Sequence, residues 1–182
     1  MIKNQNILLK KITLLDNILK ILALITARKN SVRLPGKNKR LIGKLSLVEN
    51  TFEHIKNIKE ISKILISTDD NLIKNKMLKR GALVPWLRPK ILSTSDATSA
   101  DVALHALKWF ETFQFKVDGL ILFQPTTPFR DKKKIIEGIR LFKKNKFKKV
   151  LGVSTIKNFP ISFFKGSKKN IVPISNNKTF QK

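Results

Sequence analysis

Along this chain, short unbroken apolar runs alternate with longer stretches in which apolar side chains return every three or four positions. ILALIT (21–26) is a run rich in branched residues, as a strand buried on both faces requires. LVENTFEHIKNI (47–58) then spaces Leu47, Val48, Phe52, Ile55 and Ile58 as one face of a helix. KILIST (63–68) predicts a second buried strand. DDNLIKNKMLKRG follows as a helix, with Asp69 or Asp70 available to cap its start and Gly81 to close its end. After the short extended piece ALVPWL come a third helix (99–113), the strand GLILFQ (119–124), a fourth helix in DKKKIIEGIRLFKKN and a last strand, KVLGVS (149–154). The stretch after Ser154 reads as irregular and polar.

Apolar strands alternating with amphipathic helices predict an α/β fold, a mainly parallel sheet with helices on both faces. In that architecture ligands bind beyond the carboxyl ends of the strands. The loops after Thr26, Thr68 and Gln124 therefore share one rim. The expected organisation is an N-terminal extension (1–20), one α/β domain (21–160) and an irregular tail (161–182). Residues 7–19 are expected to form a short amphipathic helix, packed on the domain or forming a dispensable extension. Lys10, Lys11 and Asp16 interrupt this segment too early for a signal-peptide core or a membrane span, so a cytoplasmic protein with no membrane partner is expected.

Composition changes this picture little. The 182 residues are 42% apolar, enough for one substantial core, and carry a net charge of +26 from 38 Lys+Arg against 12 Asp+Glu. Such a field attracts polyanions in general. Lysine outnumbers arginine, however, and the basic residues are spread along the chain. The dense clusters, DKKK and KKNKFKK, fall at helix ends without the interleaved aromatics of a stacking platform. Nucleic acid is therefore not the expected partner. The absence of cysteine excludes disulfides, thiolate catalysis and cysteine-based zinc sites.

Candidate chemistry concentrates in the loop after the first strand, ITARKNSVRLPGKN (25–38). It matches neither GxxxxGK[ST] nor GxGxxG. Backbone N–H groups of a turn at 28–31, with Arg28 and Lys37 as cations and Pro35-Gly36 bending the return path, would suit a polyphosphate. On residue types alone, a nucleic-acid patch and a solvated basic turn stay open. Arg88 before Pro89 reads either as a ligand contact or as an anchor on a carboxylate, and Asp69-Asp70 as a cap or a functional pair. His54 and His105 read as packed or surface histidines, and Trp109, Phe110 and Phe113 as core.

ARKNSVRLPGKN (27–38) resembles the nucleotide-binding loop of the acylneuraminate cytidylyltransferases, or CMP-sialic acid synthetases. ISTDD (66–70), GALVPWLRP (81–89), SADVALHAL (99–107), LFQPTTPFR (122–130) and VLGVS (150–154) match further motifs in family order, so the resemblance covers about residues 21–160. Lys29-Asn30 stands where many members carry two glycines. The fold implied is the Rossmann-like nucleotidyltransferase fold. The activity implied is transfer of CMP from CTP to the anomeric hydroxyl of an acidic nonulosonic sugar, with release of pyrophosphate.

Carried over by position, the resemblance implies that Arg28 and Lys37 hold the triphosphate and that Ala27, Ser31 and Asn38 assist at the nucleotide. It places Arg88 at the base, Ser99 at the ribose, Gln124 between nucleotide and acceptor, and Arg130 at the substrate. Arg28, Lys37 and Gln124 are the implied catalytic set, with Mg²⁺ as cofactor and a homodimer as the family's assembly. Related deoxyoctulosonate cytidylyltransferases carry an acidic GDEP loop where this chain has Gln124-Pro125-Thr126-Thr127, which points away from that sister activity. The family's metal-binding acidic stretch lies further along than Ser154, and residues 155–182 contain no Asp or Glu. The expectation is that this chain by itself binds CTP, turns it over slowly if at all, and lacks much of the usual dimer contact.

Overall fold

Strand β1 (Ile21–Ala27) is the centre of the sheet because its side chains are apolar on both faces: Leu22 and Leu24 enter one core, while Ala23, Ile25 and Ala27 enter the other. The computed structural model describes residues 19–31, 34–147 and 149–153, and the backbone of two strands at 164–166 and 171–173. The helix anticipated over 7–19 lies almost wholly outside the described residues. Beside β1 run two parallel neighbours, β4 (Lys63–Thr68) and β5 (Gly119–Phe123), in the order β4-β1-β5. The ALVPWL segment adds a single parallel bridge, Leu83 to Leu65, at the β4 edge. In sequence between β1 and β4, and outside their sheet, comes a short antiparallel hairpin, β2 (Leu41–Ile42) with β3 (Leu45–Ser46), which the hydrophobic pattern does not reveal.

Helix α1 (Leu47–Ile55) buries Val48, Thr51, Phe52 and Ile55, one stripe at helical spacing. It packs in the core with Ala23 and Ile25, joined by Ile73 and Met77 of α2 (Asn71–Lys79). The opposite face of the sheet takes α3 (Ser99–Phe113) through Ala106 and Phe110. Helices on both faces of a parallel sheet are thus present, as the alternation predicts. Ile135 and Ile136 of α4 (Lys132–Lys144) pack on the α1 side.

Helix ends follow local chemistry. Ser46 and Glu49 form a capping box at α1, and Thr98 and Asp101 form one at α3. Asp70, not Asp69, caps α2. Gly81, at φ 83°, ends α2 with the paired bonds of a Schellman turn, Gly81 N–H to Leu78 O at 2.9 Å and Ala82 N–H to Met77 O at 3.1 Å. Phe110 is fully buried as anticipated. Phe113 is 64% exposed; it ends α3 on the outer side, edging Trp109 at 5.3 Å.

Two other departures concern the end of the domain. The strand anticipated at 149–154 is absent from its described residues, 149–153, and Leu151 and Val153 stand exposed. A strand needs a neighbour for its backbone groups, and none pairs with this segment among the described residues. The described residues divide into two units between Val150 and Leu151. In the second, where an irregular tail is anticipated, β6 (Phe164–Gly166) and β7 (Ile171–Pro173) pair antiparallel.

Gly119 begins β5 against α4. A β-carbon there would lie 2.7 Å from Cε1 and 2.8 Å from Cζ of Phe142, and 3.1 Å from Cδ1 of Ile21. Gly119→Ala is expected to lower stability by about 1 kcal/mol, the cost of overpacking reduced by the entropy that alanine removes from the unfolded chain. Urea titration checks it.

Candidate functional site

The parallel register sets Ala27 opposite Thr68, so the chain leaves β1 and β4 side by side at the carboxyl edge of the sheet. Thr68 stitches the two exits: its hydroxyl donates to Ala27 O at 2.6 Å and accepts from Asp70 N–H at 3.1 Å. Between this edge and the N-terminus of α3 lies a cleft of about 340 Å³. Arg28, Ser31, Lys37 and Asn38 line it from the first loop, Arg88 and Thr94 from the segment after β4, Ser99 from α3, and Gln124 from the end of β5. Seven of the anticipated nucleotide residues, drawn from four parts of the chain, therefore share one cavity.

Each has a defined setting. Arg28 Nη1 donates to Thr94 O at 2.9 Å, joining the first loop to the segment before α3. Asn38 is buried, and its Nδ2 donates to Arg28 O at 2.9 Å. Its side chain therefore fixes the loop from inside. Lys37 opens a 3-10 turn (Lys37–Lys39) behind Gly36, which adopts φ 64° and thereby lets the chain reverse. Ala27 contributes its backbone: its side chain is in the core and its carbonyl is held by Thr68. Ser99, the first residue of α3, stands beside the cap Thr98.

Arg88 is the unusual member. It is 6% exposed, donates from Nε to Ser67 Oγ at 2.9 Å and from Nη2 to Ser67 O, and makes a long 3.5 Å contact from Nη1 to Leu92 O. The carboxylate anchor considered from sequence is not found: among the described residues, no ion pair involves Arg88. Burial pushes its pKa down, the negative charge of Asp69 offsets part of this, and the nearby Arg28 adds to the depression. A buried cation without a direct counter-ion, at the wall of a cleft, makes that cleft attractive to anions.

Arg130, anticipated at the substrate, is engaged elsewhere. Its guanidinium donates to Gln124 O and to Thr51 Oγ1, the latter at 3.2 Å, and lies 5.6 Å from the Phe123 ring centroid. Burial lowers its pKa. It braces the loop that carries Gln124 and is not among the residues lining the cleft. The segment 92–98, which carries no recognisable motif, supplies Leu92, Thr94, Ser95, Ala97 and Thr98 to the wall. Its Ser/Thr density between Pro89 and a helix start was the only available signal. A second hollow, of about 240 Å³ and lined mainly by Val48, Leu72, Ile73 and Met77, contains none of the anticipated residues.

The acidic residues do not suit a protein-built Mg²⁺ site. Mg²⁺ needs free hard oxygen ligands, whereas Asp69 Oδ1 already accepts from Lys29 N–H at 2.6 Å and Asp70 is buried against Lys39. Among the described residues no group of three or more His, Cys, Asp or Glu could hold a metal ion. His105 is packed edge-on against Trp86, with ring centroids 4.9 Å apart, and His54 hydrogen-bonds its own helix at Asn50 O.

The sequence profile of the cytidylyltransferases matches residues 22–156. The chain belongs to the cytidylyltransferase family. It is 34% identical over 144 residues to a CMP-N,N'-diacetyllegionaminic acid synthase of Legionella pneumophila, covering 79% of this chain and 60% of that protein. It is 32% identical over 123 residues to an N-acylneuraminate cytidylyltransferase of Escherichia coli, covering 68% and 28% respectively. The matched stretch thus spans less than two thirds of the length of either relative. The fold is shared with CMP:2-keto-3-deoxy-manno-octonic acid synthetase solved with CTP, at TM-score 0.58 and 17% identity over 70% of this chain and 48% of that one. Among the described residues, no helix of this chain is long and apolar enough to cross a membrane.

Proposed function

We propose that the cleft binds CTP and serves transfer of CMP to the anomeric hydroxyl of an acidic nonulosonic sugar, with release of pyrophosphate. The observation that carries this reading is the convergence of Arg28, Lys37 and the unpaired, buried Arg88 on one cavity at the carboxyl edge of the sheet. In this reaction the sugar hydroxyl gives up its proton to solvent as its oxygen forms a bond to the α-phosphorus, the bond from the α-phosphorus to the bridging oxygen breaks, and pyrophosphate leaves with that bond's electron pair. Catalysis of such transfers is mainly positioning and cationic stabilisation of phosphate oxygens. Arg28 and Lys37 are assigned to the phosphates, Arg88 and Ser99 to the nucleoside, and Gln124 to the acceptor side. The acids named for the relatives, diacetyllegionaminic and acylneuraminic, support an acidic nonulosonic sugar as the acceptor. We place the reaction in the cytoplasm, where CTP is available.

The test begins with binding. CTP is expected to raise the melting temperature more than ATP, GTP or UTP at equal concentration, because stabilisation follows ln(1 + [L]/Kd). Equal shifts for all four would remove the cytidylyl assignment. Lys37→Ala is expected to weaken CTP about tenfold, for one charge-assisted contact of about 1.5 kcal/mol, and to leave cytidine nearly unchanged. Equal losses for the two ligands would take Lys37 off the phosphates. Turnover is then assayed with CTP, Mg²⁺ and a panel of acidic nonulosonic sugars, following CMP-sugar and pyrophosphate together.

A further inference from the structure

The segment from Arg28 to Lys39 carries four residues of the cleft wall, Arg28, Ser31, Lys37 and Asn38. A loop of this length serves a phosphate only if its cations are held in place before the ligand arrives, since ordering them afterwards costs binding free energy. Both ends of this loop are fastened, and the fasteners are consecutive residues at the end of β4. At the start, Lys29 N–H donates to Asp69 Oδ1 at 2.6 Å. At the far end, Lys39 Nζ lies 3.0 Å from Asp70 Oδ2.

Asp70 divides its carboxylate between two tasks. Oδ1 caps α2, accepting from Leu72 N–H at 2.8 Å and Ile73 N–H at 3.4 Å. Oδ2 is buried without a well-aligned hydrogen-bond donor, so its contact with Lys39 is a charge pair. A helix cap accounts for Oδ1 alone. It explains neither the Lys39 pair nor the Asp69 bond to Lys29, and none of these three side chains lines the cleft.

We propose that Asp69 and Asp70 are positioning residues that clamp the first loop at its two ends and so pre-set Arg28 and Lys37 for an anionic ligand. The inference rests on the reading of the cleft as a CTP site. It gives the tandem aspartates one purpose, because residues that leave β4 beside β1 can reach both ends of the β1 loop.

The variants separate clamping from capping. Asp70→Asn keeps an N-cap oxygen of the preferred kind but removes the charge facing Lys39, and Asp69→Ala removes the Lys29 acceptor. Two readouts are taken on the full chain at a temperature where circular dichroism shows every variant folded. In ligand-free protein, amide exchange at Lys29 is expected to rise at least about tenfold in Asp69→Ala. In Asp70→Asn the turn amides of Lys39 and Arg40, which bond Gly36 O and Lys37 O, are expected to exchange faster. For binding, each variant is expected to weaken CTP about five- to tenfold and cytidine less than twofold. Asp70→Asn combined with Lys39→Met should be no weaker than either alone, since both break one pair.

Unchanged exchange, additive losses, or equal losses for CTP and cytidine would overturn the clamp. Faster exchange in a chain that binds no CTP even unmodified would uphold the clamp and overturn the CTP reading instead.

Discussion

Glu49→Ala is expected to lower the free energy of unfolding by about 2 to 3 kcal/mol, from the loss of a capping box and of hydrogen bonds to a buried carboxylate. The residue is 1% exposed and both of its oxygens are occupied. Oε2 accepts from Ser46 N–H at 2.9 Å and Ser46 Oγ at 2.6 Å and lies 2.8 Å from Lys76 Nζ. Oε1 accepts from Arg80 Nε at 2.9 Å, with Arg80 Nη2 at 2.8 Å. The side chain therefore completes the α1 capping box and ties α1 to α2 at once. Its loss leaves the N-cap without its reciprocal bond and Lys76 without its partner, while Arg80 keeps only Glu53 at 3.0 Å.

The same network sets a pH dependence. Burial, the largest single influence, would raise the pKa of Glu49, but the Lys76 ammonium and the Ser46 hydroxyl and amide together outweigh it and bring it from 4.5 to about 2. A carboxylate whose folded-state pKa is depressed stabilises the fold fully above its unfolded value. That contribution, roughly 3 kcal/mol at about 1.4 kcal/mol per pKa unit, is lost as pH falls from about 4.5 towards 2. Denaturant midpoints measured across that window should fall steeply for the unmodified chain and much less for Glu49→Gln. Parallel curves for the two would show that another group governs the acid transition.

Ser46-Leu47-Val48-Glu49 carries the spacing of a capping box, but nothing in the local sequence shows the ties to Lys76 and Arg80, because those partners come from the next helix and its C-terminal end. The strands and helices were legible for the converse reason. In β1, alternate residues enter opposite cores, which demands an unbroken apolar run, and α3 buries Val102, Ala106 and Phe110 at a spacing that the sequence displays directly. Residue chemistry marks Arg28, Lys37 and Arg88 as candidates, whereas Ser99 and Gln124 are legible only by resemblance. Arg28, Lys37, Arg88, Ser99 and Gln124 are distant in sequence, and only the parallel register brings their loops to one edge. Their hydrogen bonds were not legible at all: that Asn38 holds Arg28 O, or that Arg130 braces Gln124 O, depends on angles set by packing. The strand anticipated at 149–154 failed because apolar β-branched composition gives a strand's propensity without its partner.

Arg88→Met is expected to act in opposite directions on the fold and on the ligand. A buried guanidinium without a paired carboxylate bears a desolvation cost of several kcal/mol, and the depressed pKa of Arg88 reports that cost. Methionine fills much of the same volume and removes the charge, while leaving Ser67 O and Oγ short of donors at a cost of about 1 to 3 kcal/mol. The two effects are of similar size, so stability should stay within about 1 kcal/mol of the unmodified chain or rise. Binding should not be spared. A buried cation in the cleft wall is already desolvated, so its contact with an anionic or carbonyl oxygen of CTP should contribute about 2 to 3 kcal/mol, a loss of roughly 30- to 150-fold in affinity on its removal. Arg88→Lys should fall between the two, since one ammonium keeps the charge but cannot hold Ser67 and a ligand with the same fork. Melting curves and CTP titration on the three proteins decide the matter. A large drop in stability with CTP affinity unmoved would make Arg88 a strut between β4 and the segment before α3. Weakened CTP in a fold that is no less stable would mark it as a residue kept for its ligand at the expense of the fold.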